Sequence, residues 1–190
     1  MSDAASLQQL PSDPLAAYLE AHVPGFRGPL VATKFKGGQS NPTYLIEAAS
    51  GAYVLRRKPP GKLLASAHAV DREFRVLQAL HGAGAVPVAQ PLHLCTDDAV
   101  IGSMFYLMQY VPGRIVWDPA LTEVPVAQRA AHYHAAVDAL VALAKLDVNA
   151  AGLSDYGKPG NYFARQIDRW SSQYKASETE SIPAMDQLIE

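Results

Sequence analysis

The sequence predicts an α+β fold in which strands come first and helices follow. Runs with the alternation or apolar character of strands dominate from Val31 to Tyr110, with one helical pattern inserted after the third run. From Val126 onward, apolar residues recur at helical spacing instead. The 190 residues are 49% hydrophobic and 18% charged, a composition that supports a buried core.

Each predicted element follows from a local pattern. A short helix is predicted from Asp13 to Val23, and a longer one over 67–80 has apolar residues at spacings of four and three. Two more helical stripes follow, at 130–144 and 163–174. The predicted strands are 31–36, 43–47, 52–57, 92–96 and 103–110. The last of these strands is almost wholly apolar, which indicates a central, buried position in the sheet.

The order of these elements narrows the fold. A strand, a glycine-rich turn, two strands, a helix, two strands, a hinge and then helices is the order of a protein-kinase-like small lobe leading into a large lobe. We therefore predict an N-terminal helical segment (1–29) and a nucleotide-binding lobe made of a five-stranded antiparallel sheet plus one helix (30–112). The hinge exit and the first helices of a second lobe would follow (113–190). Other antiparallel sheets share pieces of this order.

Charge and cysteine content exclude several function classes. The net charge of -2 and the pI of about 6.3 give no basic field of the kind that drives nucleic-acid binding. The single cysteine, Cys95, precludes an internal disulfide and fits a reducing compartment. The chain has no apolar run near the ~20 residues that span a bilayer, and its first residues lack a signal-peptide pattern. We expect a cytoplasmic protein without nucleic-acid or membrane partners.

A polar, glycine-containing turn between the first two strands is a candidate phosphate-binding loop. It consists of Gly37, Gly38, Gln39, Ser40 and Asn41. Glycines let backbone N–H groups approach phosphate oxygens, and the Ser and Asn side chains add possible donors. The turn departs from the pattern G-x-G-x-x-G. From these residues alone, a plain hairpin turn is an equal alternative.

A charged pair is predicted between the third strand and the following helix. Strand alternation places Arg56 on the same face as Val54, and a guanidinium can bind phosphate with two hydrogen bonds. Glu73 borders the apolar face of the helix, where a carboxylate needs a partner, and Arg56 is the predicted one. The alternatives are a solvated strand end for Arg56 and local pairing of Glu73 with Arg72 or Arg75.

The end of the fifth strand is a candidate adenine-binding hinge. Met108, Gln109, Tyr110 and Val111 leave the buried strand just before Pro112-Gly113. Backbone groups at such a point can offer one acceptor and one donor to a flat heterocycle. The alternative is an ordinary connection between a strand and a helix.

Several longer stretches together resemble a known family. They are "GGQSNPTYLIE", "YVLRRKPPGKLL", "SAHAVDREFRVLQAL", "VIGSMFYLMQYVPGRI" and "DYGKPGNYFARQIDRW", which lie between Leu30 and Trp170. They resemble the aminoglycoside phosphotransferase-like kinases, and within them the branch associated with acyl-CoA dehydrogenases. The resemblance implies that residues 37–41 form the nucleotide loop, that Arg56 takes the role of the phosphate-binding lysine, and that Glu73 is the helix glutamate.

The same resemblance implies the rest of the site and its chemistry. Met108 would back the adenine pocket, while the C=O of Gln109 and the N–H of Val111 would meet adenine across Tyr110. The implied cofactors are ATP and Mg²⁺. The implied reaction transfers the γ-phosphoryl group to a hydroxyl of a small molecule, and for this branch to that of a hydroxyacyl-CoA.

The family's catalytic residues have no counterpart in these 190 residues. The family has His-Gly-Asp followed by Asn, and a later metal-binding Asp, whereas here the only His-Gly is His81-Gly82, followed by Ala83. We therefore assign no catalytic residue and no metal ligand, and expect the resemblance to cover only the N-terminal half of a kinase. Without a base and metal ligands, the chain alone is predicted to be inactive. The alternatives are a non-catalytic truncated pseudokinase or nucleotide- or partner-binding module, and a phosphate-independent ligand- or protein-interaction domain on the same fold. The exposed helices also predict self-association.

Overall fold

The computed structural model describes residues 10–36, 41–59, 68–158 and 160–189. Its helices are α1 (Ser12–His22), α2 (Val70–Ala83), α3 (Val126–Ala144), α4 (Tyr162–Ser177) and α5 (Pro183–Ile189). Its strands are β1 (Leu30–Lys34), β2 (Thr43–Ala48), β3 (Gly51–Arg57), β4 (Pro91–Cys95) and β5 (Phe105–Gln109). The predicted α+β fold is confirmed, with α5 as an additional helix that the sequence patterns did not indicate.

The five strands form one antiparallel sheet in the order β1-β2-β3-β5-β4. The apolar strand β5 therefore lies between β3 and β4, which confirms the central position predicted for it. Three consecutive residues of β5, Phe105, Tyr106 and Leu107, are buried. Burial on both faces of the strand indicates that both sides of the sheet are covered at this point.

The first face of the sheet packs against α1. Leu15 and Leu19 of this helix are fully buried, and they share one hydrophobic core with strand residues of this face. The strand residues of that core include Leu30, Tyr44, Ile46, Leu55, Cys95, Phe105 and Leu107. The helix of the predicted N-terminal segment and the sheet of the predicted lobe thus bury their apolar surfaces together.

The second face of the sheet is covered only in part. Helix α2 contacts β4 and β5, where Val70 and Phe74 pack against Tyr106. Gly84 caps the C-terminus of this helix. Its φ of 64° is in the left-handed region, and its N–H donates to carbonyls of the last turn. Toward β1, Val31 on the same face is 62% exposed among the described residues.

The chain divides into two compact units, the first ending at Ala151 and the second beginning at Gly152. In the first unit, no regular element separates the end of β5 at Gln109 from the start of α3. Neither α3 nor α4 has a buried side chain, and the self-association expected from their apolar residues stays a prediction. No helix in the described ranges combines the length and apolar character needed to cross a bilayer.

Candidate nucleotide-binding site

The predicted pair of Arg56 and Glu73 is present on the second face of the sheet. The Nε of Arg56 lies 2.7 Å from the Oε2 of Glu73. Strand pairing places Arg56 on β3, and Glu73 lies in the first turn of α2. Both side chains are partly accessible, with 29% and 36% of their surface exposed. The ion pair therefore joins the sheet to the helix on the second face of the sheet.

The carboxylate of Glu73 is the acceptor for three side chains. Its Oε2 accepts from Arg56 and also from the hydroxyl of Tyr106, at 3.2 Å. Its Oε1 accepts from the Nδ2 of Asn41, at 2.7 Å. Burial, together with the negative charge of Glu73, raises the pKa of Tyr106. Tyr106 consequently keeps its proton and remains a donor to the carboxylate.

These contacts close into a ring of hydrogen bonds. The Nη1 of Arg56 donates to the Oγ1 of Thr43 at 3.2 Å, and that hydroxyl donates to the backbone carbonyl of Asn41 at 3.1 Å. We call Asn41, Thr43, Arg56 and Glu73 the polar ring. Because each member is held by at least two bonds, the orientation of the Arg56 guanidinium is fixed from two sides.

Asn41 is buried, with 2% of its surface exposed. Its Oδ1 faces the Nδ1 of His68 at 2.9 Å, and its Nδ2 is bonded to Glu73. The side chain predicted to reach a phosphate is thus bonded inside the protein. Gly37, Gly38, Gln39 and Ser40, the other residues of the predicted loop, lie outside the described residues.

Sequence reasoning did not select His68, Thr43 or Tyr106. Their partners are distant in sequence, so no local periodicity connects them to the polar ring. Strand register supplies the missing relationship, because Thr43, Arg56 and Tyr106 are directly opposite one another across β2, β3 and β5. Once the strand order is known, these three residues form one row on one face.

We call Thr43, Arg56 and Tyr106 the polar row, and an apolar row lies next to it on the same face. Leu45 is opposite Val54, and Val54 is opposite Met108. Each of these residues is two positions from a member of the polar row, which corresponds to a spacing of about 7 Å. Val31 of β1 is also exposed on this side. Within the described ranges, Leu45 and Met108 are partly buried and Val54 is 8% exposed, so the row places apolar side chains beside a fixed cation.

The apolar row ends at the predicted hinge. Met108 is partly buried against the core under α2, and the following residue, Gln109, is the last of β5 and pairs with Tyr53. Beyond it, Tyr110 is partly buried and Val111 is 59% exposed. The backbone of this segment thus leaves the sheet at the end of the apolar row.

Comparison with known proteins identifies the family. A model described as "Phosphotransferase enzyme family" matches residues 31–190. The chain belongs to the phosphotransferase enzyme family. A solved structure from Ralstonia eutropha, of a protein assigned as an aminoglycoside phosphotransferase, has 48% identity and a TM-score of 0.74. The match covers 95% of this chain and 52% of that one, and it confirms the predicted kinase-like fold.

Other relatives of this chain carry dehydrogenase names. Acyl-CoA dehydrogenase family member 11 of Rattus norvegicus is 48% identical over 178 residues, which are 92% of this chain and 23% of the relative. Acyl-CoA dehydrogenase family member 10 of Mus musculus is 46% identical over 182 residues, covering 95% and 17%. The chain thus spans about a quarter or less of these relatives, and the predicted branch is confirmed.

The family implies use of ATP and Mg²⁺. The described residues suit the nucleotide but not the metal ion. The fixed guanidinium and the apolar row suit a nucleotide, because one offers a permanent cation and the other a flat contact surface. For a metal ion, the described ranges contain no group of three or more His, Cys, Asp or Glu side chains. We therefore derive no step through Mg²⁺ from the described residues.

Proposed function

We propose that this chain is the nucleotide-binding part of an ATP-dependent phosphotransferase that acts on a hydroxyl of a small molecule. One observation carries the proposal: Arg56 is fixed by Glu73 and Thr43 beside the apolar row of Leu45, Val54 and Met108. A cation and an apolar row two strand positions apart, which is about 7 Å, match the phosphates and the base of a nucleotide.

In this proposal the base of ATP lies on the apolar row. Its edge then faces the chain leaving β5, where the C=O of Gln109 and the N–H of Val111 serve as acceptor and donor. Tyr110 connects these two groups, and Met108 lies behind the base. A hydrogen-bonding backbone edge beside an apolar surface is the usual arrangement for recognising a heterocycle.

The phosphates then lie toward the polar row. Within the described ranges, the Nη2 of Arg56 has no hydrogen-bond partner, whereas its Nε and Nη1 are bonded to Glu73 and Thr43. The guanidinium thus retains donors for phosphate oxygens while its orientation is fixed. Preorganisation of this kind lowers the cost of binding, because the cation need not be reoriented. A contribution of residues 37–40 is supported by their sequence alone.

Nucleotide binding is only part of phosphoryl transfer. The reaction also needs a group that accepts the hydroxyl proton and charges that neutralise the transferring phosphoryl. The sequence supplies no His-Gly-Asp motif for the first role. We therefore propose that these 190 residues bind ATP without phosphorylating an acceptor on their own.

The names of the relatives support one acceptor class. Relatives that match nearly all of this chain are called acyl-CoA dehydrogenase family members, and these names support a link to acyl-CoA chemistry. We propose a hydroxyacyl-CoA as the acceptor of the phosphotransferase to which this chain corresponds. A hydroxyl on the acyl chain would accept the γ-phosphoryl group of ATP, and ADP would be released.

Calorimetric titration with ATP and Mg²⁺ tests the binding proposal. The wild-type chain should bind ATP, and Arg56→Ala should lower the affinity about tenfold or more, because a charge-assisted contact to phosphate is lost. Arg27→Ala, which removes an exposed arginine before β1, is the matched control and should bind like the wild type. Absence of ATP binding by the wild type would overturn the proposal.

A turnover assay tests the second part. The chain is incubated with ATP and a 3-hydroxyacyl-CoA, and phosphorylated product is measured by mass spectrometry. We expect none above the rate without protein. ATP-dependent formation of phosphorylated product by the 190 residues alone would contradict the proposed lack of turnover. It would not contradict the proposal that the chain binds ATP.

A further inference from the structure

His68 is bonded to the polar ring from outside it. The residue precedes α2 by two positions, and its Nδ1 lies 2.9 Å from the Oδ1 of Asn41. Asn41 continues the connection to Glu73, and Glu73 continues it to Arg56. A chain of three hydrogen bonds therefore runs from His68 to the cation of the proposed site.

The direction of each bond in this chain follows from the chemistry of its members. An ionised carboxylate only accepts hydrogen bonds, so the amide nitrogen of Asn41 must face Glu73. Its Oδ1 then faces His68 and needs a donor, so the Nδ1 of His68 must carry a proton. Flipping the amide of Asn41 would lose its bond to Glu73, and would keep the bond to His68 only in the other imidazole tautomer, in which Nδ1 accepts. His68 thus fixes the orientation in which Asn41 can hold Glu73.

The backbone of His68 is in an uncommon conformation that keeps this contact. Its φ of 62° is in the left-handed region, which a non-glycine residue adopts at an energetic cost. Asn41 is 2% exposed, so water has little access to replace the imidazole as a donor. A costly backbone conformation beside a buried amide indicates that the contact itself stabilises this geometry.

We propose that His68, acting through Asn41, is a positioning residue for the phosphate-binding cation Arg56. The inference rests on the proposed function of the site. Glu73 receives three donors, and the one from Asn41 holds the oxygen that Arg56 does not use. Without His68, Asn41 can turn, the Glu73 carboxylate can rotate, and Arg56 loses the fixed direction toward phosphate. Binding of the adenosine part, which lies on the apolar row, stays unaffected.

Two variants of His68 separate its side chain from its backbone. His68→Gly keeps the left-handed conformation and removes the donor. His68→Asn tolerates the same conformation and can place an amide N–H near the position of Nδ1. His81→Asn, which changes an exposed histidine in the last turn of α2, is the matched control. All are made in the full 190-residue chain.

Affinities for ATP and for adenosine are then compared by calorimetry. His68→Gly should weaken ATP binding about three- to tenfold, the range for losing one hydrogen bond, with adenosine binding unchanged within about twofold. His68→Asn should restore ATP binding toward that of the wild type, and His81→Asn should not alter it. In the wild type at pH 9, nitrogen-15 NMR of the histidine rings should show a protonated Nδ1 for His68. This spectrum is recorded on the wild type, so the test does not depend on whether a variant folds.

The possible failures are distinguishable. If the wild type binds ATP and His68→Gly binds it equally well, the positioning role is wrong and the proposed function stands. The role is also wrong if His68→Gly weakens ATP and adenosine equally, or if Nδ1 carries no proton. If the wild type binds no ATP, the proposed function fails and this inference fails with it.

Discussion

The Oε1 of Glu73 accepts from the amide of Asn41 at 2.7 Å, while its Oε2 accepts from Arg56 at the same distance. One carboxylate therefore connects a buried residue beside β2 with a partly exposed cation on β3. Any substitution at Glu73 affects both Asn41 and Arg56, because each carboxylate oxygen accepts a hydrogen bond from one of them. This division of the two oxygens underlies the first prediction.

Glu73→Gln should weaken ATP binding more than it weakens the fold. An amide keeps the shape, but its nitrogen only donates, so with Asn41 in its observed orientation the side chain cannot accept from both Arg56 and Asn41. We expect about a tenfold loss of ATP affinity, the effect of losing a charge-assisted bond, measured by calorimetry. Adenosine affinity should change less than ATP affinity. Equal losses for the two ligands would contradict the assignment of Glu73 to the phosphate side.

The neighbouring arginines of β3 should have opposite phenotypes. Arg57 is 3% exposed, and its Nε bonds to the Oγ of Ser103 at 2.9 Å on the face opposite Arg56. Burial lowers the pKa of Arg57. Arg57→Ala should destabilise the protein by about 2–4 kcal/mol through lost packing and hydrogen bonding, as measured by urea unfolding.

Arg56→Ala provides the comparison for this prediction. Its side chain is partly exposed, so we expect a smaller loss of stability than for Arg57→Ala and a larger loss of ATP affinity. Ser103→Ala should cost about 1–2 kcal/mol, because a buried guanidinium loses one acceptor. If the two arginine variants lose stability equally, the contrast drawn from their burial is wrong.

Alkaline pH should destabilise the protein through Tyr106. Burial and the charge of Glu73 raise the pKa of this hydroxyl in the folded state. Its contribution to stability is full below the ordinary tyrosine pKa of about 10 and is lost as the pH rises through the folded value. Tyr106→Phe should therefore make stability fall less steeply above about pH 10.

Urea unfolding between pH 8 and pH 11 measures this difference. Burial also raises the pKa of Tyr44 and raises that of Tyr18 to about 12, so part of the alkaline loss should remain in Tyr106→Phe. The prediction is contradicted if the variant and the wild type show the same pH dependence.

Acid pH should weaken the packing of α1 on the sheet. The hydroxyl of Tyr18 lies 3.0 Å from the Nε2 of His93, and the ring of His22 lies 5.6 Å from that of His93. Burial, with the charge of His22, lowers the pKa of His93. The stability that this histidine contributes is present above its ordinary pKa and is lost as the pH falls through the lowered folded value.

His93→Gln should reduce this acid sensitivity. Urea midpoints of the variant and the wild type are compared at pH 8, 6 and 5, and the wild type should lose more stability on acidification. His81→Gln, at an exposed histidine of α2, is the control and should follow the wild type. An acid response that is unchanged in His93→Gln would show that other groups cause it.

The fold was largely predictable because its signals are local. Alternation and turn residues located all five strands within a few residues, and the apolar character of β5 indicated its interior position. The face of Arg56 followed from alternation alone, and the border position of Glu73 indicated a partner. These features depend on residues that are close together in the sequence.

The remaining parts of the site depend on contacts between distant residues. The sequence indicated Asn41 as a donor for phosphate, but it is buried, and Glu73 and His68 are bonded to its amide. Arg57 is buried because the turn between β4 and β5 places Ser103 against it. No periodicity in the sequence encodes such partners, because the strand order determines them.

That strand order has a consequence for folding. β5 enters the sheet between β3 and β4, so Arg57 pairs with Phe105 across a long intervening stretch of chain. Closing such a loop costs entropy before the new contacts repay it, and contacts of high sequence separation slow folding. Tyr106 can bond to Glu73, and the row it shares with Arg56 and Thr43 can form, only after this closure. We therefore expect the face that carries Thr43, Arg56 and Tyr106 to form late in folding, with the docking of β5, and not with the initial β1–β3 meander.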